Sequence, residues 1–227
     1  MNQLTWEDLS KNKKERYVRS ITYEETKPFL LKIHYARRMP CITHAFGLFI
    51  ENGKCIGIVT YGVPASNSLC KGIAGIENFH NVLELNRLVF LPEYNGNNNA
   101  SYLVSHSLKM LPNKTFVVSY ADTAWSHVGY IYQATNFLYT GLSAKRLDTY
   151  QPNGKHPRSY NKDNHDKRYQ TRSQKHRYVY LVGDKKTKKQ MKKELRYPII
   201  TPYPKGDEIR YNTENPQIIV PIKIVEK

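Results

Sequence analysis

Residues Thr115 to Tyr120 form a short apolar, β-branched run that leads directly into a helix start, and this junction constrains the fold most. The run predicts a buried strand. Asp122 or Thr123 then supplies a helix N-cap. Apolar residues at helical spacing follow at Val128, Ile131, Tyr132 and Thr135. We therefore expect Asp122 at the C-terminal end of a central strand, the position at which α/β sheets bind ligands.

Strand and helix patterns alternate on both sides of this junction. Two local signals are specific: the capping box Thr22-Tyr23-Glu24-Glu25 and the hairpin dipeptide Asn52-Gly53. Upstream, the predicted elements are a strand over 15–21, a helix over 22–37, two strands over 46–50 and 54–61, a loop over 62–81 and a strand over 82–91. A helix over 100–110 follows, and beyond the junction come strands over 137–142 and 177–182 and a basic helix over 184–195.

Charged and polar residues interrupt the apolar strand 82–91. Alternation places Glu84, Asn86 and Leu88 on one face, and Leu85, Arg87 and Val89 on the other. Arg87 in such a strand needs an anionic partner or ligand, because an unpaired buried charge is costly.

The positive charge of the chain is unevenly distributed. The net charge is +16, and +12 of it falls within Lys145 to Arg196, where seventeen Lys and Arg residues face five acids. The tyrosines of this basic block are Tyr150, Tyr160, Tyr169, Tyr178 and Tyr180. Basic side chains that neutralise phosphates, mixed with aromatic rings that stack on bases, favour a nucleic-acid partner. A solvated surface or a patch for anionic membranes is the alternative.

Other global features narrow the class of protein. The polar N-terminus has no apolar signal region, and no run approaches the length of a membrane span, so we expect a soluble, cytoplasmic protein. Cys41, Cys55 and Cys70 form no metal or redox motif and are predicted to be buried free thiols.

A loop rich in Gly and Asn precedes the helix over 100–110. Such a loop at a helix N-terminus offers backbone N–H groups to a pyrophosphate, although an ordinary turn has the same composition. The candidate cofactor-binding residues are Asn97, Asn98, Asn99, Ala100 and Ser101.

The order of elements resembles the GNAT acyltransferase fold, in which the loop between the fourth strand and the third helix holds the pyrophosphate of acetyl-CoA. Five short motifs also resemble, in order and spacing, the Mom family of phage DNA-modification proteins. These motifs are Ile33-His34-Tyr35-Ala36, Glu84-Leu85-Asn86-Arg87-Leu88, Ala100-Ser101, Tyr120-Ala121-Asp122 and Ile131-Tyr132-Gln133-Ala134. A weaker similarity to the family lies in Tyr203-Pro204-Lys205-Gly206.

This resemblance implies a fold, a reaction and a cofactor. The fold is α/β, with a GNAT-like mixed, mostly antiparallel central sheet flanked by helices and a basic C-terminal extension. The reaction is an acetyl-CoA-dependent transfer of a small amide group, acetamido or methylcarbamoyl, to adenine N6 in double-stranded DNA, which protects the DNA from restriction. Iron is implied as a metal cofactor by the family resemblance alone. The implied organisation is a catalytic core over 1–144, a basic part of the same domain over 145–196 and a proline-rich tail over 197–227.

The resemblance also singles out catalytic candidates: Asp122, Tyr35, Tyr132, Arg87 and His34. The N6 amine is a weak nucleophile, because its lone pair is delocalised into the ring, so it needs a base and an oriented electrophile. Asp122 is a candidate for holding or deprotonating the amine, and equally for capping the following helix. Tyr35 and Tyr132 are candidate acids or oxyanion contacts, and His127 is a second acid/base candidate.

Access to a base within a duplex requires its extrusion, and the basic block is predicted to contact the phosphates. The candidate DNA-binding residues are Lys145, Arg146, Arg168, Arg172, Lys185, Lys186, Lys188 and Lys189. Two other functions stay open: a GNAT acyltransferase that acts on tRNA, proteins or small amines, and a non-enzymatic nucleic-acid-binding protein. A nuclease that uses His156, His165 and His176 matches no known metal spacing.

Overall fold

The computed structural model describes residues 16–96, 98–149, 168–206 and 224–226. The strands in chain order are β1 (Arg16–Ser20), β2 (His44–Ile50), β3 (Cys55–Gly62), β4 (Val82–Phe90), β5 (Thr115–Asp122), β6 (Leu138–Leu142), β7 (Arg146–Thr149), β8 (Arg168–Arg172), β9 (Lys175–Val182) and β10 (Ile224–Glu226). The helices are α1 (Tyr23–Pro28), α2 (Asn67–Asn78), α3 (Asn99–Lys109), α4 (Tyr130–Ala134) and α5 (Lys185–Glu194).

Seven strands form the central sheet in the order β1-β2-β3-β4-β5-β9-β6, and a small second sheet has the order β10-β8-β7. Within the central sheet, β4 and β5 are parallel and the other neighbouring strands are antiparallel. The prediction of a mixed, mostly antiparallel sheet flanked by helices is therefore confirmed. Strand β9 comes from the basic block and lies between β5 and β6, so this block supplies a central strand.

The first helix begins as predicted but ends early. Thr22 accepts the Glu25 N–H at 3.3 Å, and the Glu25 carboxylate accepts the Thr22 N–H at 2.7 Å. Pro28 has no N–H to donate, and the chain then continues as a π-helical turn over Phe29–Ile33. His34 closes that turn by donating its N–H to the Phe29 carbonyl at 2.8 Å. The predicted continuation to Arg37 is wrong.

The segment 62–81 is not a loop, because it contains helix α2. Ser66 caps this helix by accepting the Leu69 N–H at 3.4 Å, and the helix buries Cys70, Ile73 and Ala74 against the sheet. Gly75 interrupts the helix at φ +77°, where its backbone lies against the Arg196 guanidinium. Two glycines and a short apolar face conceal the helical period in the sequence.

The chain after β5 also differs from the predicted continuous helix. A single 3-10 turn, Thr123–Trp125, is followed by left-handed residues at Ser126 and Gly129, and only then by α4. Gly129 is needed at φ +84°, since a Cβ there would lie 2.5 Å from the Tyr178 ring. The Tyr130 hydroxyl donates to the Gly206 carbonyl at 2.6 Å, so the Tyr203–Gly206 motif packs on this short helix.

Three apolar clusters hold the layers together. One lies between the sheet and α3 and α4, the second between the sheet and α2 and α5, and the third beneath α1. Cys70 is buried as predicted, but Cys41 is exposed and Cys55 half-buried. No helix in the described part of the chain is long and apolar enough to cross a membrane.

Candidate active site

A break in the central sheet forms the site. The parallel pairing of β4 with β5 covers only three residue pairs and ends at Glu84 and Val118. Both strands continue past this point, and Ser119 Oγ donates to the Leu85 carbonyl at 3.0 Å where the ladder stops. The open ends of β4 and β5 therefore give side chains from both faces of the sheet access to one cleft.

A β-bulge at Asn86 changes which side chains of β4 share a face. Thr60 pairs with Arg87 while Tyr61 pairs with Leu85, so Asn86 is an extra residue in the strand. The predicted strict alternation is wrong for this reason. Leu85 and Leu88 pack together in the cluster beneath α3, and Glu84 and Arg87 lie on the opposite face.

Glu84 is a half-buried carboxyl group at the break. Its burial raises its pKa, and Lys175 and Arg87 offset only part of this effect. Its charge in turn adds to the burial that raises the pKa of Tyr120. A carboxylate with a raised pKa in a cleft is suited to accept a proton at neutral pH.

Arg87 lies in the same cleft with part of its hydrogen-bonding capacity unused. Its Nη1 donates to the Asn86 carbonyl at 2.6 Å, whereas its buried Nε has no hydrogen-bond partner among the described residues. Burial lowers the pKa of the guanidinium. An orphaned buried donor of this kind is costly unless a ligand supplies an acceptor.

Tyr132 reaches the break from α4. Its ring centroid lies 5.4 Å from that of Phe137 and 5.3 Å from that of Tyr178. Burial raises the pKa of Tyr132, with smaller contributions from Glu84 and Tyr35. A protonated phenol at this position is suited to donate a proton or a hydrogen bond.

Asp122 ends β5, and both of its carboxylate oxygens have partners. Oδ1 accepts the Ala124 N–H at 3.0 Å, and Oδ2 lies 3.2 Å from Lys175 Nζ. Burial alone raises the pKa of Asp122, but hydrogen bonds from Ser173 and Ala124 and the charge of Lys175 bring it below its ordinary value. Asp122 is thus a weak base that caps the 3-10 turn. The nearby His127 is half-buried, and burial lowers its pKa.

His34 and Tyr35 occupy the turn after the π-helical segment, on the Arg87 side. The His34 ring is buried, and its Nδ1 accepts the Ala36 N–H at 3.0 Å. Burial, with a smaller effect of Arg87, lowers the pKa of His34 to about 4, so the ring is neutral and holds the turn. Tyr35 is exposed and stacks on His34, with ring centroids 4.4 Å apart.

The N-terminus of α3 borders a cavity of about 230 Å³ on the other face of the sheet. Its lining residues are Arg16, Asn98, Ser101, Tyr102, Ser105 and Ala134. A guanidinium, several hydroxyls and a helix N-terminus form a donor set that suits the phosphates of acetyl-CoA. Of the predicted cofactor residues, Asn98 and Ser101 line this cavity.

The remaining cofactor candidates have different positions. Asn99 is buried, and its amide links the Tyr94 carbonyl, 3.0 Å away, to Arg16 Nη1, 2.6 Å away. It therefore supports the cavity rather than lining it. Ala100 is half-buried against the apolar cluster beneath α3, and Asn97 lies outside the described residues.

No group of three or more His, Cys, Asp or Glu side chains within the described ranges is arranged to hold a metal ion. Within these ranges, the side chains do not fit the iron that the family resemblance implied. His176 accepts or donates one hydrogen bond with the Tyr139 hydroxyl at 2.9 Å, while His156 and His165 lie outside the described residues.

The predicted DNA-binding residues divide into two groups. Lys145, Arg146 and Arg172 are exposed on the segment that joins β6 to β9, and Arg168 lies in β8. This segment is anchored beside Asp122, because Thr123 donates its N–H to the Gln174 carbonyl at 3.1 Å. Lys185, Lys186 and Lys189 are exposed on α5, whereas Lys188 Nζ lies 5.0 Å from the Tyr180 ring centroid.

Sequence reasoning assigned no role to several residues of the site: Glu84, Arg16, Tyr102, Ser105, Lys175 and Trp125. A signal for Glu84 was present, since it is a charged residue in an otherwise apolar strand, three residues before Arg87. The others reach the site from β1, α3, β9 and the turn after β5, and no local spacing indicates this.

The family model described as the Mom protein family matches residues 15–205. Among solved structures, the chain is similar to ribosomal-protein-S18-alanine N-acetyltransferase from Escherichia coli, with 11% identity and a TM-score of 0.44, covering 75% of this chain and 96% of that one. The chain is also similar to a GNAT-family acetyltransferase from Bacillus cereus, with 12% identity and a TM-score of 0.44. The match covers 75% of this chain and 99% of that one.

Spermidine/spermine N-acetyltransferase from Vibrio cholerae, solved with manganese ions, gives 12% identity and a TM-score of 0.46, covering 78% of this chain and 96% of that one. Such low identities and TM-scores do not transfer the activities of those enzymes to this chain. No curated protein sequence matches it.

Proposed function

The chain belongs to the Mom protein family, as its short motifs predicted, and we propose that it transfers a small acetyl-CoA-dependent amide group to the N6 amine of adenine in DNA. The group is acetamido or methylcarbamoyl, and the modified DNA escapes host restriction. One observation carries this proposal. At the break between β4 and β5, a carboxylate with a raised pKa faces one side of the sheet, and a cavity lined by cationic and hydroxyl groups lies on the other.

The cavity at the start of α3 supports acetyl-CoA as the donor. Arg16 supplies a positive charge, Ser101 and Ser105 supply hydroxyls, and the helix N-terminus adds a partial positive charge. These groups bind and orient phosphates. When bound, acetyl-CoA would supply the electrophilic carbon, and coenzyme A would leave as the thiol. The amide nitrogen of an acetamido or methylcarbamoyl group would come from a second, nitrogen-donating and oxidising co-substrate.

Glu84 is the proposed general base. The N6 lone pair of adenine is delocalised, so bond formation at nitrogen requires loss of an N–H proton. The raised pKa of Glu84 makes its carboxylate a stronger base than an exposed one. Glu84 lies at the break, where we place the attacking nitrogen. Asp122 is the weaker candidate, since its two oxygens are already engaged.

Arg87 and Tyr132 are the proposed electrophilic partners. The unused Nε of Arg87 supplies a charged hydrogen bond to an oxygen that gains negative charge during transfer. The Tyr132 phenol is protonated at neutral pH and donates a hydrogen bond to the leaving group on the side of the cofactor cavity. The two residues thus bracket the reacting atoms from opposite faces of the sheet.

Basic residues around the cleft support DNA as the acceptor. Lys145, Arg146 and Arg172 are exposed on the segment that is anchored beside Asp122. Helix α5 presents further exposed lysines and begins after Val182, at the opposite end of β5. Phosphate contacts of this kind bind and orient nucleic acid without reading its sequence. The adenine leaves the base stack to reach the carboxylate.

The test is mass spectrometry of nucleosides digested separately from DNA and RNA of cells that express the protein. A new adenosine-derived mass in DNA that disappears in Glu84→Gln is the expected result. Glu51→Gln is the matched control, because Glu51 is exposed in the turn between β2 and β3, outside the break.

A modified nucleoside that occurs only in RNA assigns the enzyme to an RNA acceptor and overturns the DNA proposal. If DNA and RNA are both unmodified and proteins or polyamines are acetylated instead, the acceptor is another amine and the DNA proposal is overturned. Either result leaves the cofactor cavity intact as an acyl-CoA site.

A further inference from the structure

Two aromatic rings lie together at the mouth of the cleft, and neither is part of the catalytic arrangement described above. Tyr35 is 64% exposed, a large fraction for an aromatic side chain. Trp125, half-buried in the turn after β5, has its ring centroid 6.3 Å from that of Tyr35, with an interplanar angle of 51°. The two rings come from elements 90 residues apart, so only the fold brings them together.

Short hydrogen-bonded turns present both rings. On one side, His34 accepts the Ala36 N–H through its ring and the Arg37 N–H through its carbonyl, at 3.0 Å each. The Tyr35 ring rests on the His34 ring. This support fixes the backbone at Tyr35 while its ring faces solvent.

The turn that carries Trp125 is held in a similar way. Asp122 accepts the Ala124 N–H at 3.0 Å, and the Ser126 N–H donates to the Thr123 carbonyl at 3.1 Å. The Lys175 ammonium holds the Asp122 carboxylate from β9. Asp122 thus has a structural task that suits its lowered basicity: it positions the turn that bears Trp125.

Positive charge surrounds the mouth of the cleft. Arg37 and Arg38 lie two and three residues after Tyr35, and both are exposed. Arg38 is close enough to Arg87 for the two charges to interact. An aromatic surface bordered by arginines is the combination that binds an unstacked base and its flanking phosphates.

We propose that Tyr35 and Trp125 form the two walls of a slot that holds an unstacked adenine of DNA, with its exocyclic amine toward Glu84. The identity of the base rests on the proposed function. A base in van der Waals contact with both walls needs nearly parallel rings with centroids about 7 Å apart. The present separation of 6.3 Å and interplanar angle of 51° therefore require the exposed Tyr35 side chain to rotate and move outward when the base enters. The slot supplies the stacking that the base loses when it leaves the DNA.

The intrinsic fluorescence of Trp125 provides a direct test. The chain has two tryptophans, so Trp6→Phe leaves Trp125 as the sole emitter. This protein is titrated with a pentanucleotide backbone that carries one adenine and four abasic residues, and with a fully abasic backbone of equal charge. We expect quenching by the adenine-bearing strand alone, and about tenfold tighter binding of that strand.

Fluorescence anisotropy of labelled strands then measures how much each of the two rings contributes to binding of the adenine strand. Tyr35→Ala and Trp125→Ala should abolish the preference for the adenine strand, whereas Tyr35→Phe, which keeps the ring, should retain it. Tyr23→Ala is the control, because Tyr23 is 48% exposed on α1 and outside the slot. Circular dichroism of each variant confirms that it is folded.

Two results would overturn the slot: unquenched Trp125 emission when the adenine strand is saturating, or an undiminished adenine preference in folded Tyr35→Ala. Nucleoside mass spectrometry on the same proteins separates this failure from that of the proposed function. Modified DNA together with unquenched Trp125 fluorescence would reject the slot but leave the proposed reaction standing. Quenching without modified DNA supports the slot as a base-binding site and rejects the reaction.

Discussion

Glu84 and Arg87 lie on the same face of β4 although they are three positions apart in the sequence. In a regular strand they would point in opposite directions, but the bulge at Asn86 inserts one residue and restores them to one face. Their charges interact there, beside the point at which β4 and β5 part. The bulge thus brings a base and a cation together in one cleft.

Replacement of Glu84 by Gln should lower the rate of modification by about 10² to 10⁴-fold, the usual contribution of a general base. Because the pKa of Glu84 is raised, the wild-type rate should increase with pH up to a value above that of an ordinary carboxyl group. Single-turnover rates at several pH values measure both effects. A wild-type profile that is flat down to pH 4.5, or full activity in the Gln variant, removes Glu84 from proton transfer.

Replacement of Asp122 by Asn should have a smaller effect, within about tenfold on the rate, because Asn still accepts the Ala124 N–H. Asp122→Ala loses the cap and should cost about 1 kcal/mol of stability in urea unfolding. The lowered pKa of Asp122 means that its contribution to stability is present above pH 3.8 and disappears as the pH falls through its folded-state value. An Asn variant as inactive as Glu84→Gln would make Asp122 the base instead.

Replacement of Arg16 by Gln should raise the KM for acetyl-CoA about tenfold and leave kcat nearly unchanged, because Arg16 lines the cavity away from the reacting atoms. Arg19→Gln is the matched control, since Arg19 lies on the same strand and pairs with Glu25 at 2.9 Å. Steady-state kinetics with DNA held saturating provides the measurement. A change in kcat alone would contradict a role in cofactor binding.

Replacement of Lys185, Lys186 and Lys189 by Ala should weaken binding to DNA of every sequence. The slope of log K against log salt should become shallower by about 0.9 for each lysine that contacts a phosphate. The control is a variant of equal charge in which three exposed lysines elsewhere are changed: Lys32, Lys71 and Lys109. An unaltered slope in the α5 variant would show that DNA does not contact this helix.

His34 should make the protein less stable in mild acid. Its pKa is about 4 in the folded state, against 6.5 for an ordinary histidine, so between these values the unfolded chain binds a proton that the folded protein excludes. The free energy of unfolding should fall by about 2 kcal/mol from pH 7 to pH 5 on account of this residue. Urea unfolding of wild type and His34→Asn at both pH values isolates the effect. Asn keeps an acceptor for the Ala36 N–H, and equal slopes for the two proteins would contradict a buried neutral ring.

Local patterns predicted the parts of this fold that neighbouring residues control. The Thr22–Glu25 capping box and the Asn52-Gly53 turn form as expected, because each depends on hydrogen bonds within a few residues. The buried strand at Thr115 is also where its β-branched residues place it. Helix α2 escaped prediction because its short apolar face gains stability only from burial against the sheet.

The sequence by itself determined most of the strands and helices, the placing of the positive charge and the family motifs that carry Tyr35, Arg87 and Tyr132. Only the tertiary structure decided what these residues face. The bulge at Asn86 reversed the alternation around Glu84, and Lys175, 53 residues after Asp122, pairs with that carboxylate and helps to lower its pKa. The physical reason is that pKa values and side-chain partners depend on burial and on charges distant in the chain, which local spacing does not encode.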